Sequence, residues 1–144
     1  MNNIEQTKQY LIYLAAPLFS RAEQDFNLRI YEFLKDQGYQ VFLPQTECAQ
    51  KPLGEIYQTC LAGLQSSRSV VAILDGADAD SGTCFECGYA VGHGIPVIGV
   101  RTDFRLSGDT RGFNAMLYFS AHKLIDGDDN FLDAIVSELK ALGL

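Results

Sequence analysis

Short, wholly apolar runs alternate along this chain with longer stretches in which apolar positions recur every three or four residues. The run YLIYLAAP (10–17) ends at a proline and predicts a strand buried on both faces. A helix is predicted over about 20–37. There Phe26, Ile30, Phe33 and Leu34 fall at helical spacing, Ser20 and Glu23 form an S-x-x-E capping box, and Gly38 closes the helix. YQVFLP (39–44) reads as a second strand, QTECAQKP as a polar loop, and 53–66 as a helix with Ile56, Cys60 and Leu64 on one face. SVVAILDG (69–76) is the strongest strand signal, β-branched and ended by Asp-Gly. The pattern continues with a helix over about 82–93, the strand IPVIGV (95–100) and a polar, glycine-containing loop over 101–113. FNAMLYF reads as a short helix and HKLID as a short strand. A last helix over about 129–142 carries Phe131, Leu132, Ile135, Val136 and Leu139 on one stripe.

Strands separated by helices of this length predict parallel β-α-β units. The expected fold is α/β, a flavodoxin-like (Rossmann-like) three-layer sandwich around a five-stranded, mostly parallel sheet of order 2-1-3-4-5 or close to it. A single domain is expected over residues 1–144, with no internal repeat and no dividing linker. Ligands of such sheets bind at the carboxyl ends of the strands. Tyr13 to Phe19, Pro44 to Thr46, Asp75 to Glu86 and Arg101 to Asn114 would converge there.

Composition narrows the function classes. The chain has 144 residues, 47% of them hydrophobic and 20% charged, enough to bury roughly 70% of its unfolded surface. The net charge of -7 repels phosphate backbones, so no nucleic acid partner is expected. No apolar run approaches the ~20 residues of a membrane span, and MNNIEQTKQY lacks the basic-then-apolar pattern of a secretory leader. No membrane association and a cytoplasmic location are the expectations. Four cysteines, Cys48, Cys60, Cys84 and Cys87, fit a reducing compartment.

The stretch DSGTCFECGYAVGHG (80–94) sets two cysteines in C-x-x-C spacing around Glu86. A redox dithiol or half of a zinc site could use that spacing. Cys48, Cys60, His93 and His122 are single and scattered, however, so the thiols are expected to pack and no metal is expected. Glu86 has two readings on pattern. Thr83-x-x-Glu86 is a capping box. Alternatively, a carboxylate in the helix's first turn faces the ligand crevice, where the helix dipole favours its ionised form and suits a nucleophile. Asp75, Asp78 and Asp80 read as a solvated turn or as carboxylates for Mg²⁺, with no calcium-loop spacing. Neither a G-x-G-x-x-G turn nor a Walker pattern is present, so no cofactor is expected.

Five segments in order resemble the nucleoside 2-deoxyribosyltransferase family: IYLAAPLFSRAEQDFN (12–27), QVFLPQ (40–45), VVAILDGADADSGTCFECGYA (70–90), IPVIGVRTDFR (95–105) and the Asn-x-Met of FNAMLYF (113–119). The third is similar to the family's D-G-x-x-x-D-x-G-T-x-x-E-x-G-x-A. The resemblance implies transfer of 2-deoxyribose between nucleobases with net retention. Glu86 would be the nucleophile, forming a deoxyribosyl-glutamate ester that a second base then attacks. Tyr13 matches a tyrosine that orients the nucleophile, or is a core tyrosine with a wet hydroxyl. Asp80 matches an aspartate that holds the sugar's 5′-hydroxyl or the base. Asn114 matches an asparagine given across a subunit interface, with Met116 beside it; alone it could be a helix cap. Gln45 would read a base edge, Ala16 and Phe19 would line the base pocket, and Asp75 and Gly82 would border the substrate. The implied partners are nucleosides and free nucleobases, and the implied assembly is a homodimer or a multiple of dimers with a shared active site.

One departure matters. Where such transferases often place an acid on the second helix to protonate the departing base, this chain has Cys60. The rivals are an N-glycosidase that hydrolyses nucleosides or deoxynucleoside 5′-monophosphates, and a non-catalytic nucleotide-sensing domain. The monophosphate hydrolases resemble one another in a Gly-Ser-rich, Arg-containing first loop. AAPLFS, with Arg21 already in the helix, favours an unphosphorylated nucleoside.

Overall fold

The protein is described from a computed structural model that covers residues 10–106, 110–127 and 129–144. The N-terminal segment read for a leader, and residues 107–109 of the expected polar loop, lie outside the described residues. In chain order the elements are β1 (Ile12–Ala15), α1 (Arg21–Asp36), β2 (Val41–Phe42), α2 (Pro44–Glu47), α3 (Leu53–Ser66), β3 (Ser69–Ile73), α4 (Ser81–Gly92), β4 (Val97–Arg101), α5 (Ala115–Ser120), β5 (Lys123–Asp126) and α6 (Phe131–Ala141). The five strands form one sheet of order β2-β1-β3-β4-β5, and every pairing is parallel. Ile12 pairs with Val41 on one side and with Ser69 on the other.

Side chains alternate between the two faces of each strand, and the core divides accordingly. Ile12, Leu14, Val71, Ile73, Ile98 and Val100 pack with Ile30 and Leu34 of α1 and Ile135 and Leu139 of α6. Tyr13, Ala15, Val70, Ala72 and Val97 pack on the opposite face with Leu64 of α3 and Cys87 and Ala90 of α4. The strands are buried on both sides, which is why they read as unbroken apolar runs rather than alternating ones. β1 hands the chain to a helix on the first face and β3 to a helix on the second. The two connections part at the carboxyl ends of these neighbouring strands, and a crevice opens there.

Two local features differ from expectation. The strands are shorter than the apolar runs that contain them, because the runs continue past the last ladder bond into buried loops. A four-residue helix, α2, stands where a polar loop was expected; Pro44 occupies its first turn, where a missing N–H costs nothing. The Ser20–Glu23 box forms as expected: Glu23 N donates to Ser20 Oγ at 3.2 Å, and Ser20 N donates to Glu23 Oε2 at 2.8 Å. No helix among the described residues is long and apolar enough to cross a membrane.

Candidate active site

Tyr13, the second residue of β1, is turned toward α3 and α4 and is fully buried. Its ring stacks on Phe42 of β2 (centroids 4.9 Å apart, planes at 9°), and Phe42 takes Tyr10 edge-on at 5.1 Å. Gly63 makes this stack possible: a Cβ there would come within 2.6 Å of the Phe42 ring. The fixed Tyr13 hydroxyl donates to Glu86 Oε1 at 2.5 Å, a contact between residues 73 apart in sequence.

Glu86 lies in the second turn of α4 and does not cap it. The helix starts at Ser81, and its N-cap is Asp80, whose Oδ2 accepts from Thr83 N at 2.9 Å and from Thr83 Oγ1 at 3.2 Å. The Thr83–Glu86 capping box and the first-turn placement are thus both corrected. Asp, one residue before a Ser-Gly pair, outcompetes Thr83 for the cap, and Thr83 is itself buried as its partner. The expected effect on Glu86 is reversed as well. A second-turn carboxylate gains little from the dipole, whereas burial disfavours its charge. Glu86 is pushed up to about 7, with the Tyr13 hydrogen bond opposing the rise and the Asp80 charge adding to it. Burial and the adjacent carboxylate push the Tyr13 hydroxyl well above the ordinary phenol range, so it stays a donor.

Glu86 opens onto a cavity of about 430 Å³, a size suited to a small organic ligand. Of the residues expected at the substrate, Ala16, Phe19, Gln45, Asp80 and Gly82 line it together with Glu86. Phe19 (79% exposed) and Leu53 (88% exposed) stand on its rim. A flat apolar ligand that they covered would bury surface already held out in water. Gly82 leaves room for the Asp80 carboxylate, which a Cβ would approach to 3.1 Å. Gln45 lines the cavity with its amide already engaged. Its Oε1 accepts from Asn27 Nδ2 at 3.1 Å, and its Nε2 donates to Gln24 O at 2.9 Å. It ties α2 to α1.

Other expected residues lie apart from this cavity. The Asp75 carboxylate accepts from Thr102 N and Oγ1, each at 2.5 Å, and from Asp103 N at 3.1 Å. It straps the loop after β4 to the end of β3 and borders a separate, smaller cleft. Asn114 caps α5, its Oδ1 accepting from Met116 N at 2.9 Å. Together with Met116 it borders a second cavity, of about 530 Å³, between α4 and α5. Leu18, Gln24, Cys48, Ile56 and Thr83 also line the Glu86 cavity, although the sequence did not mark them as substrate contacts. They come from the β1–α1 loop, α1, the end of α2, α3 and α4, and no local pattern shows that these five places meet.

The C-x-x-C pair does not act as a unit. Cys87 is buried in the core, and burial pushes its thiol up to about 12. Cys84 donates to Ala79 O at 3.7 Å. Among the described residues, no three His, Cys, Asp or Glu side chains gather closely enough to hold a metal ion.

An α/β sheet of this order, with a tyrosine-held glutamate at its switch point, defines a class of ligand-binding crevice rather than one reaction. Comparison supplies the family. The nucleoside 2-deoxyribosyltransferase family model matches residues 12–123. The chain belongs to that family. Its fold matches a conserved protein from Enterococcus faecalis V583 (TM-score 0.75, 24% identity, covering 90% of this chain and 99% of that one). It also matches a 2-deoxyribosyltransferase from Bacillus psychrosaccharolyticus (0.67, 23%, 84% and 94%) and a CMP N-glycosidase from Clostridium botulinum (0.64, 14%, 88% and 98%). No functionally curated protein matches the chain significantly.

Proposed function

We propose that the protein transfers 2-deoxyribose between nucleobases by way of an ester on Glu86. The observation that carries this reading is a half-buried glutamate, held by a tyrosine hydroxyl at 2.5 Å, facing a ligand-sized cavity. Tyr13 bonds Oε1 and leaves Oε2 for C1′ of the sugar. In the first step a Glu86 oxygen bonds to C1′ as the C1′–N bond breaks and the base leaves with the bonding pair. In the second, a new base attacks C1′ from the vacated face and Glu86 is released as the carboxylate. Two inversions give retention. The transition state carries positive charge on the sugar. Among the described residues, Asp80 and Glu86 are the only charged side chains lining the cavity, so its field favours that charge. The same field disfavours a phosphate, which supports a nucleoside over a nucleotide.

Asp80 has one oxygen taken by Thr83 and the other available to a sugar hydroxyl or to the base. Ala16 and Phe19 would hold the base. Asn114 and Met116 would serve the neighbouring site of a homodimer or a multiple of dimers. Their support is an apolar surface on and beside α5, where Met116 (78%) and Phe119 (79%) are exposed and Val91 of α4 lies next to them. Surface of this kind marks contact sites.

Hydrolysis is the second reading, favoured by one observation: the cavity is open at its rim, so water can reach the ester when no base fills it. A chromatographic assay separates the two. The protein is incubated with a 2′-deoxynucleoside, with and without a different free base, beside Glu86→Ala. A new nucleoside formed only when the second base is present establishes transfer. Free base and deoxyribose in both tubes establish hydrolysis. No change with any nucleoside or monophosphate refutes both.

A further inference from the structure

Two cysteines that the proposed reaction does not use meet in the wall of the Glu86 cavity. Cys48, at the C-terminal end of α2, and Cys60, in the middle of α3, place their sulfurs 3.5 Å apart. Both are half-buried, and both line the cavity. The Cys60 thiol also lies against the Tyr13 hydroxyl, the group that holds Glu86. This dithiol therefore touches the ligand space on one side and the tyrosine–glutamate pair on the other.

We propose that Cys48 and Cys60 form an oxidisable dithiol, a modification site for hydroperoxides, whose disulfide disturbs the Tyr13–Glu86 pair in the wall of the cavity. Bringing the sulfurs from 3.5 Å to a bond of ~2.05 Å asks each to move by less than about 1 Å. The backbone around Cys48 can yield that much. α2 is a single turn, and the loop that follows turns through Gln50 at a φ of 61°. The other pair, Cys84 and Cys87, differs in kind. Cys84 bonds a backbone carbonyl and Cys87 is in the core.

The chemistry balances with a hydroperoxide as the oxidant. One of the two thiols attacks first as its thiolate: its sulfur bonds to the terminal peroxide oxygen, the O–O bond breaks, and alkoxide or hydroxide leaves, taking up a proton. The other thiol then attacks the sulfenic sulfur and loses its proton as the S–S bond forms and water leaves. Two sulfurs each give up one electron, and the O–O bond takes up both. The new bond draws the Cys60 sulfur from the Tyr13 hydroxyl and ties α2 to α3 across the cavity wall.

The consequence for turnover rests on the proposed transferase reading; the disulfide itself does not. The test treats the whole protein with hydrogen peroxide, digests it under non-reducing conditions and maps disulfides by mass spectrometry. Deoxyribosyl transfer is measured before treatment, after it, and after dithiothreitol. The expected result is a Cys48–Cys60 cross-link, a loss of transfer of at least about tenfold and recovery on reduction. In the double variant Cys48→Ser, Cys60→Ser, peroxide produces no cross-link and no loss that dithiothreitol reverses, relative to that variant's own untreated rate. A folded protein without the cross-link, or with Cys84 or Cys87 paired instead, overturns the proposal. So does a cross-link that leaves transfer unchanged. If the untreated protein shows no transfer at all, the reading of the reaction fails, and the peptide map alone still decides the dithiol.

Discussion

Replacing Glu86 with glutamine should make the protein inactive and, above neutral pH, more stable. The carboxyl is held at about 7 in the folded chain against its ordinary 4.5, a difference of roughly 3 kcal/mol between the two protonation states. A raised carboxyl favours the fold only while it keeps its proton. That contribution is whole below about pH 4.5, falls as the unfolded chain becomes ionised, and is gone once pH passes the folded value of about 7. Glutamine keeps an oxygen to accept from Tyr13 but never ionises. Its stability relative to wild type should therefore climb between pH 4.5 and 7 and level off above that, with a gain of up to about 3 kcal/mol at pH 8. Near pH 4.5 the two proteins should differ little. Urea unfolding of both at pH 4.5, 6, 7 and 8 reads the curve directly. A gap that does not change with pH, or a glutamine variant that is weaker at pH 8, would show that burial does not oppose the charge on Glu86.

The same carboxyl must be ionised to attack, so transfer by the wild type should rise with pH through about 7 and fall about tenfold per pH below it; a pH–rate profile at saturating nucleoside checks this. Tyr13→Phe removes the hydrogen bond that favours the Glu86 charge, and its rising limb should move to higher pH, with a lower plateau. Gly63→Ala drives a Cβ within 2.6 Å of the Phe42 ring; calorimetry should show a loss of about 1–3 kcal/mol, and kcat should suffer more than KM because Phe42 stacks on Tyr13. Asn114→Asp keeps the α5 cap but gives up the amide donor, so it should leave folding intact yet slow transfer if a neighbouring subunit uses that donor; an unchanged rate would confine Asn114 to capping.

What could be read from the sequence follows the range of the interaction concerned. Strand and helix positions came from apolar spacing, a local property, and the parallel pairing followed from helix-length connections between buried strands. The Ser20–Glu23 box was legible because its partners lie three residues apart. Asp80, Thr83 and Glu86 show the limit of local pattern: two overlapping capping signals fit, and only the start of α4 at Ser81 decides between them. The resemblance gives Gln45 a base edge; it lines the cavity, with one acceptor and one donor position of its amide held by Asn27 and Gln24, 18 and 21 residues away. Asp75 was counted with the crevice and instead binds a loop 27 residues on. The contact of Cys48 with Cys60 depends on α2, a turn of helix in a stretch that reads as loop, so nothing in their spacing announced it.

The bond from Tyr13 to Glu86 spans half the chain, and it joins β1 to α4 through the middle of the molecule. Neither partner can be placed by its own segment. Tyr13 needs β2 to supply Phe42 and α3 to make way at Gly63, and Glu86 needs β3 to launch its helix. A chain that has formed only its first half therefore has a tyrosine with no glutamate to hold, and one that has lost β2 has no fixed tyrosine. Turnover should accordingly appear late in refolding, together with the last long-range contacts rather than with helix formation, which makes the activity a stringent reporter of the completed fold.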